Sequence, residues 1–477
     1  MRILKNALWL ASGRTAADAA SFVLVTAISR VLGPAGTGEY AYAFALANLI
    51  GMLTASGYEE YGIRAYACAA ERERARLWSQ MRGAVLLQLI LATVVLAALL
   101  LSGFERFAHV AVVLQLTIYF VGWLLSRVLL IPSMALQRMG RPALIEFSCR
   151  LFACLSAIGL ILGAGASLSV SLSGFAIAGL VMVVLGWRIG RSVAGRSPIE
   201  LSFRALRETL RHTWPFATSE LLYLFYARVD VLMIALWLGA AGTGLYALDV
   251  KFVEVGMIPV ALLGSAVYPA LGRMAAQSSP ALRRSARDFL QAGFLLTGWL
   301  AAGVALLLPL LIVPLFGRSF ASTVPLLGWF AALALAKGAE TTLCRLLYST
   351  GRQADYVRNL AASTVLIVIL NLILIPRFGL LGAVCSAVAS TTFVAACCVY
   401  SLRRHLSVGV MLLAALRTAA ALGVTALTAS LADLLDLSDW AQAGLALAVF
   451  PLAALLVGLF PDLGRGSLFG RTHGDPA

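Results

Sequence analysis

"GPAGTGEYA" runs from Gly33 to Ala41, and "GAAGTGLYA" runs from Gly239 to Ala247, 206 positions on, with seven of the nine residues identical. The pair reads as an internal repeat, and what it repeats depends on the medium the chain occupies. Hydrophobic residues make up 61% of the 477 and charged residues only 12%, with a mean hydropathy of +0.91. A soluble domain carries about 25% charged residues, so this chain has too little charge to cover a water-facing surface. Runs such as "GAVLLQLILATVVLAALLLSGF" (Gly83–Phe104) are long enough to cross hydrocarbon, which takes about 20 helical residues. The chain is therefore read as an all-α polytopic membrane protein.

Apolar windows place fourteen transmembrane helices, at 7–31, 39–57, 81–103, 109–136, 143–164, 168–187, 213–238, 244–271, 289–313, 321–348, 356–375, 380–401, 408–431 and 440–460. The opening "MRILKNALWLASGRTAADAA" reads as a retained first helix rather than a cleaved signal, because Arg14 and Asp18 interrupt it and the hydrophobic pattern resumes at once. Basic residues set the orientation. With the N-terminus cytoplasmic, the outer loops hold only Arg30, Arg106, Arg318 and Arg377. Eight cations lie within spans, and the rest, from Arg2 and Lys5 through Arg82, Arg196 and Arg404 to Arg465 and Arg471, fall on the cytoplasmic side. That bias follows the positive-inside rule and implies an inner or plasma membrane protein with both termini cytoplasmic. The net charge of +15 is thus a matter of topology, and a nucleic-acid partner is not needed.

Six spans separate the copies of the nonapeptide, so both lie on the same side, each joining the first two helices of a six-helix lobe. This is a parallel repeat. "LQRMGR" (Leu136–Arg141) and "LYSTGR" (Leu347–Arg352), 211 positions apart, end the fourth and tenth spans and extend the correspondence. The expected organisation is an N-terminal lobe over 1–190, a basic cytoplasmic linker over 191–212, a second lobe over 213–402, and two additional helices with a tail over 403–477. The linker lies in "RIGRSVAGRSPIELSFRALRETLRHTW" (Arg188–Trp214), with six arginines against Glu200 and Glu208. A phosphate-cradling role for the glycine-rich stretch is disfavoured, since there is no GxxxxGK[ST] and no preceding strand. Gly33, Pro34, Gly36 and Gly38 are expected to form a tight turn between helices. The seven cysteines and four histidines (His109, His212, His405, His473) show no metal-ligand spacing. Neither a metal nor a cofactor is expected.

At this point the residues resemble a known family. "NALWL" (Asn6–Leu10), "SRVLGPAGTGEYAYAFALANLIGML" (Ser29–Leu53), "YARVDVLMIALWLGAAGTGLYALDVKFVEV" (Tyr226–Val255), "PVALLGSAVYPALGR" (Pro259–Arg273) and "NLILIPRFGLLGAVCSAVAS" (Asn371–Ser390) are similar to the polysaccharide-transporter, O-antigen-flippase-like branch of the multidrug/oligosaccharidyl-lipid/polysaccharide (MOP) exporter superfamily. The resemblance is clearest over 1–70, 130–150, 213–275 and 340–400, about half of the chain. It implies two bundles around a V-shaped central cavity that rock by alternating access. It also implies a flippase that carries a polyprenyl-pyrophosphate-linked oligosaccharide from the cytoplasmic to the outer leaflet, with polysaccharide polymerase and chain-length proteins as candidate partners. The last two spans resemble the additional pair found in some members, lipid II flippases among them.

Ionisable residues inside the spans bear on transport. The cations are Arg14, Arg127, Arg150, Arg228, Lys251, Lys337, Arg345 and Arg417; the anions are Asp18, Glu146, Glu220, Asp230, Asp249, Glu254 and Glu340. Each costs roughly 2.5–3.5 kcal/mol at the centre of a lipid-exposed helix, on the order of 40 kcal/mol together. Most must therefore face a hydrated path or one another. Arg14 and Asp18 share a face of the first span, Glu146 and Arg150 share one of the fifth, Lys251 and Glu254 lie at i, i+3, and Lys337, Thr341 and Arg345 line one face with Glu340 beside Lys337. Glu146 with Arg150 reads as a structural pair. Arg14, Arg228, Lys251, Lys337 and Arg345 are the candidates to line the cavity and bind pyrophosphate, whose oxygens suit arginine's planar fork. In the family, basic residues of the first and eighth spans line the cavity, and Arg14 and Lys251 are the nearest matches. Asp18, Asp230, Glu254 and Glu340 are the candidates for coupling to H+ or Na+.

Two rivals are weighed. A drug/cation antiporter of the same superfamily would want an anionic or aromatic cavity and typically twelve spans. A sugar-polymerising enzyme would need a sizeable outer loop, whereas the outer "LADLLDLSD" (Leu431–Asp439) has three aspartates without a basic or histidine neighbour. The chain is not expected to be an enzyme.

Overall fold

The computed structural model describes residues 2–101, 108–195, 197–277, 281–403 and 408–459, with side chains for all of these except 2–16, 99–101, 269, 276 and 281. Arg106, Arg196, Arg404, His405, Arg465, Arg471 and His473 lie outside the described residues, as do the side chains of Arg2, Lys5 and Arg14. Hydrocarbon offers no partner to a backbone N–H or C=O, so a spanning chain satisfies them within helices. The helices are α1 (Arg2–Ala55), α2 (Tyr58–Cys68), α3 (Glu71–Leu101), α4 (Val110–Ala135), α5 (Gly140–Ala164), α6 (Leu168–Ser171), α7 (Ser173–Ala194), α8 (Phe203–Gly256), α9 (Ile258–Ala276), α10 (Ala281–Leu306), α11 (Leu308–Phe316), α12 (Leu327–Ser349), α13 (Gln353–Phe378), α14 (Leu380–Leu402), α15 (Val408–Leu434) and α16 (Asp439–Leu456), with a 3₁₀ segment over Arg318–Leu326.

Twelve stretches of the described residues are long and apolar enough to cross a membrane. Two of them, Ala17–Cys68 and Phe203–Tyr268, run to 52 and 66 residues, more than twice the ~20 that one crossing needs. Each is divided by a glycine, Gly33 (φ 65°, ψ −166°) and Gly239 (φ 68°, ψ −170°), so that the twelve stretches hold fourteen spanning helices. Only glycine readily adopts that backbone region.

Here the expected turn contracts to a single residue. Helix resumes at once at Pro34, whose fixed φ suits a first helical position, and Gly36 and Gly38 lie inside the helix rather than in a turn. Their role is close packing. A Cβ on Gly38 would run into the Ala240 carbonyl and the Gly244 nitrogen, and one on Gly244 into the Pro34 carbonyl and the Gly38 nitrogen. At an offset of 206, Pro34 corresponds to Ala240 and Gly38 to Gly244, so the contact is reciprocal, as across a local two-fold. Thr37 and Thr243 repeat the pattern, each donating its hydroxyl to the carbonyl of its own break glycine at 2.8 Å.

The second correspondence also holds, in a different register. α4 and α12 both end in a Schellman motif. Arg138 N–H donates to Ser133 O and Arg352 N–H to Leu347 O, each at 2.9 Å, with Gln137 (φ 57°) and Gly351 (φ 74°) in the left-handed position. Ser133 thus matches Leu347 at an offset of 214, not 211; the letter match of Gly140 with Gly351 pairs residues that do different things.

Two compact units emerge, Met1–Ala247 and Leu248–Ala477. In the first, α4 packs on α7 with Gly122 against the Gly179 backbone, and Trp78, Tyr58, Met81 and Ile131 centre a buried cluster. In the second, α10 meets α12 through Gly293 at Thr342 and Gly338 at Thr297. The C-terminal pair docks on α10, where Phe450 closes over Gly298 and Trp299 Nε1 donates to Leu447 O at 3.2 Å. Pro259 and Pro309 stand in the first turns of α9 and α11, which separates those helices from α8 and α10.

Close helix crossings in membranes depend on small residues. Gly38→Ala and Gly244→Ala are each expected to destabilise by about 1–3 kcal/mol, the range for overpacking, while Gly140→Ala, with open space around its Cβ, is expected to leave stability unchanged. The midpoint of unfolding in detergent checks all three.

Candidate functional site

In the first unit the intramembrane charges largely satisfy one another. Arg150 on α5 reaches α1, its Nη2 2.7 Å from Asp18 Oδ1, and its Nε and Nη2 donate to Ser21 Oγ at 3.2 and 3.0 Å. The expected pair of Glu146 with Arg150 does not form. A same-helix pair is worth only a few tenths of a kcal/mol, whereas Asp18 and Ser21 offer two acceptors on a neighbouring helix. Glu146 instead sits 3.4 Å from Arg127 Nη1, while Arg127 grips Glu59 of α2 with Nε and Nη2, one on each carboxylate oxygen. Glu59 was missed in the sequence because the apolar window ends at residue 57; nothing along the chain pairs it with Arg127.

α8 carries the next group. Glu220 Oε2 accepts the Gly57 N–H at 2.9 Å, at the break between α1 and α2. The Arg228 guanidinium lies 5.6 Å from the centre of the Phe44 ring. Asp230 is 8% exposed; its Oδ2 accepts from Tyr246 Oη at 2.5 Å and its Oδ1 from the Val231 N–H at 2.8 Å. Arg14 stands on α1 with its side chain outside the described residues.

The second unit holds the remaining candidates. Lys251 Nζ is 3.3 Å from Glu254 Oε2, and Lys337 Nζ is 3.4 Å from Glu340 Oε2. Glu340, 4% exposed, also accepts from Tyr356 Oη at 3.1 Å. Arg345 differs from both lysines. It is half-buried, its stem lies against Gly264 of α9, and among the described residues it makes no hydrogen bond or ion pair. Asp249 is the residue that sequence reasoning passed over. It is 1% exposed with neither oxygen in hydrogen-bond geometry, and the Thr323 side chain beside it donates to Phe320 O at 3.0 Å. The available signal was its i, i+3 relation to Phe252, whose ring meets Phe316.

A chain with paired and unpaired charges deep in spanning helices has the makings of a transport path, and comparison with known proteins bears on that. The sequence profile described as polysaccharide biosynthesis protein matches residues 3–275, more than half of the chain. The chain belongs to that family. The family's description associates it with polysaccharide biosynthesis. The fold is similar to that of the lipid II flippase MurJ in an inward closed conformation, with a TM-score of 0.72 at 13% identity over 94% of this chain and 98% of that one. An inward-facing multidrug resistance MATE family transporter of the MOP superfamily matches with a TM-score of 0.58 at 14% identity, over 85% and 95%. The eukaryotic MATE transporter AtDTX14 matches at 0.51 and 14%, over 87% and 99%. At such identities the likeness concerns the fold alone. No curated protein sequence matches the chain.

Tyr246 and Asp230 are buried together at 1% and 8% exposure. Tyr246→Phe is expected to cost about 1–3 kcal/mol, the range for withdrawing a partner from a buried polar group, with Asp230→Asn partly restoring stability in the double variant. A double-mutant cycle on unfolding midpoints in detergent checks the coupling.

Proposed function

We propose that the protein is a flippase that carries a polyprenyl-pyrophosphate-linked oligosaccharide, a polysaccharide repeat unit, from the cytoplasmic to the outer leaflet by alternating access. In this reading two six-helix lobes, 1–190 and 213–402, flank a V-shaped cavity, 191–212 joins them, and 403–477 adds the last pair of helices. The protein resides in the bacterial inner membrane with both termini cytoplasmic. Arg345 is the observation that supports the reading most: a half-buried guanidinium on a spanning helix with no described counter-charge. A pyrophosphate brings two or three negative charges, and arginine's fork matches its oxygens. Arg14, Arg228, Lys251 and Lys337 are the further cavity cations. Asp18, Asp230, Glu254 and Glu340 are the carboxylates proposed to couple movement to H+ or Na+.

A second reading, transport of lipid II, draws support from the MurJ likeness over 94% of the chain. Both readings place a polyprenyl pyrophosphate in the cavity and differ in the glycan. Drug antiport is less well supported, since the cations proposed for the cavity would repel a cationic drug.

Proteoliposomes loaded with a fluorescent polyprenyl-pyrophosphate-sugar test the proposal. Wild type is expected to flip the lipid, and Arg345→Ala, Arg228→Ala and Lys251→Ala are each expected to slow it about 10- to 100-fold, the equivalent of one charged hydrogen bond. Transport of a cationic dye in place of the lipid would overturn the flippase reading. Unimpaired folded variants would remove these residues from the site. Asn or Gln at all four carboxylates is expected to abolish sensitivity to protonophores and to sodium gradients.

A further inference from the structure

Arg82 stands near the start of α3, on the side that the basic loops assign to the cytoplasm, and sequence reading took it for one of the loop charges that set topology. It is 4% exposed. Its guanidinium lies 3.7 Å from the centre of the Trp78 ring and 5.1 Å from that of Trp187 on α7. Nε donates to Trp78 O at 3.2 Å; Nη2 donates to Ser197 O at 3.0 Å, Ser197 Oγ at 2.7 Å and Pro198 O at 3.3 Å. Among the described residues Nη1 has no hydrogen-bond partner and no carboxylate pairs with Arg82. Neutral acceptors orient the group but leave its unit charge uncompensated, and buried charges are ordinarily paired.

The charge faces a space. A cavity of about 340 Å3 is lined by Arg82, Trp187, Arg191, Gly195, Ser197 and Pro198. Arg191, one helical turn beyond Trp187, is exposed and brings a second cation. Among the described residues the lining contains no acid. Its wall is held in place: the Ser79 hydroxyl donates to the Pro198 carbonyl, and Gly83 lets the Glu200 carbonyl pack directly on α3. The guanidinium, fixed by two indoles and four hydrogen bonds, is thus ordered before any ligand arrives.

We infer that this cavity binds a phosphoryl oxyanion, supplied by the headgroup of an anionic phospholipid. Two cations without a described acid, on the side that the basic loops assign to the cytoplasm, match the basic pockets between membrane helices that take phospholipid headgroups. None of its lining residues is among the cations proposed for the flipping path, and its test reads binding rather than transport, so either can fail alone.

Delipidated full-length protein in detergent is titrated calorimetrically with short-chain phosphatidylglycerol, phosphatidylcholine and inorganic phosphate. Saturable binding of phosphatidylglycerol but not of phosphatidylcholine is expected, weakened at least tenfold in Arg82→Gln and in Arg191→Gln. Arg191 is exposed, so its variant keeps the test valid if Arg82→Gln fails to fold. Binding of phosphate with the same dependence on both arginines supports the oxyanion site and makes free phosphate its source. If neither anion binds, or if both folded variants bind like wild type, Arg82 is only a clamp on residues 197 and 198 and the inference falls.

Discussion

Helix backbones can touch in a membrane only where no side chain stands between them, and the contact of Gly38 with Gly244 is such a place. It requires the break glycines as well. Gly33 and Gly239 turn the chain so sharply that the following helix starts one residue later, with its glycines on the inner side of the bend. The same bend brings Tyr246 back beside Asp230, sixteen residues earlier, and makes their hydrogen bond possible. In the first copy the residue equivalent to Asp230 is Leu24, fully buried and apolar. Ser29, which accepts from Thr37, likewise has the apolar Ala235 as its equivalent. The repeat thus duplicates backbone geometry while the polar groups on it have diverged. Whatever distinguishes the two halves chemically lies on a scaffold that does not.

Charge follows a related economy. Desolvating an ion costs several kcal/mol, recovered only with good geometry, and the first unit supplies that geometry across helices rather than along them. Arg150 joins α5 to α1, and Arg127 ties α4 to α2 with Glu146 of α5 alongside. The second unit uses i, i+3 pairs on single helices for both lysines. Glu340 of the second pair is also held from α13, by the Tyr356 hydroxyl.

Hydropathy alone located nearly every helix, because a window of twenty apolar residues has few other outcomes in a chain this poor in charge. The nonapeptide exposed the repeat. What periodicity could not show is what happens across helices. It sees that Glu146 and Arg150 share a face, but not that Asp18 and Ser21 face Arg150 from α1. Letter matching set Gly140 against Gly351, whereas Gln137 holds the left-handed position that Gly351 holds in the second copy. A β-turn rule expected Gly36 and Gly38 to bend the chain, when one glycine followed by proline suffices. Arg82 was read as a loop charge and Asp249 as one in-span anion among seven; only the packing of α3 against residues 197–200, and of α8 beside the 3₁₀ segment, reveals that each is buried with no opposing charge among the described residues.

These differences rank the cations by how readily each could serve a passing anion. To engage one, a cation must first give up what it already holds. Arg127 would surrender a bidentate grip on Glu59, and Arg150 a carboxylate and a hydroxyl together, each a charge-assisted arrangement of the stronger kind. Lys251 would loosen a single contact of 3.3 Å to a partly exposed Glu254, a pair of the sort worth a few tenths of a kcal/mol. Arg345 would give up no described ion pair at all. A multiply charged pyrophosphate can compete with the last two arrangements and not with the first two. Arg127 and Arg150 are thus the cations held most firmly by their neighbours, and Lys251 and Arg345 are the ones that the proposed flippase would present to an anionic lipid head.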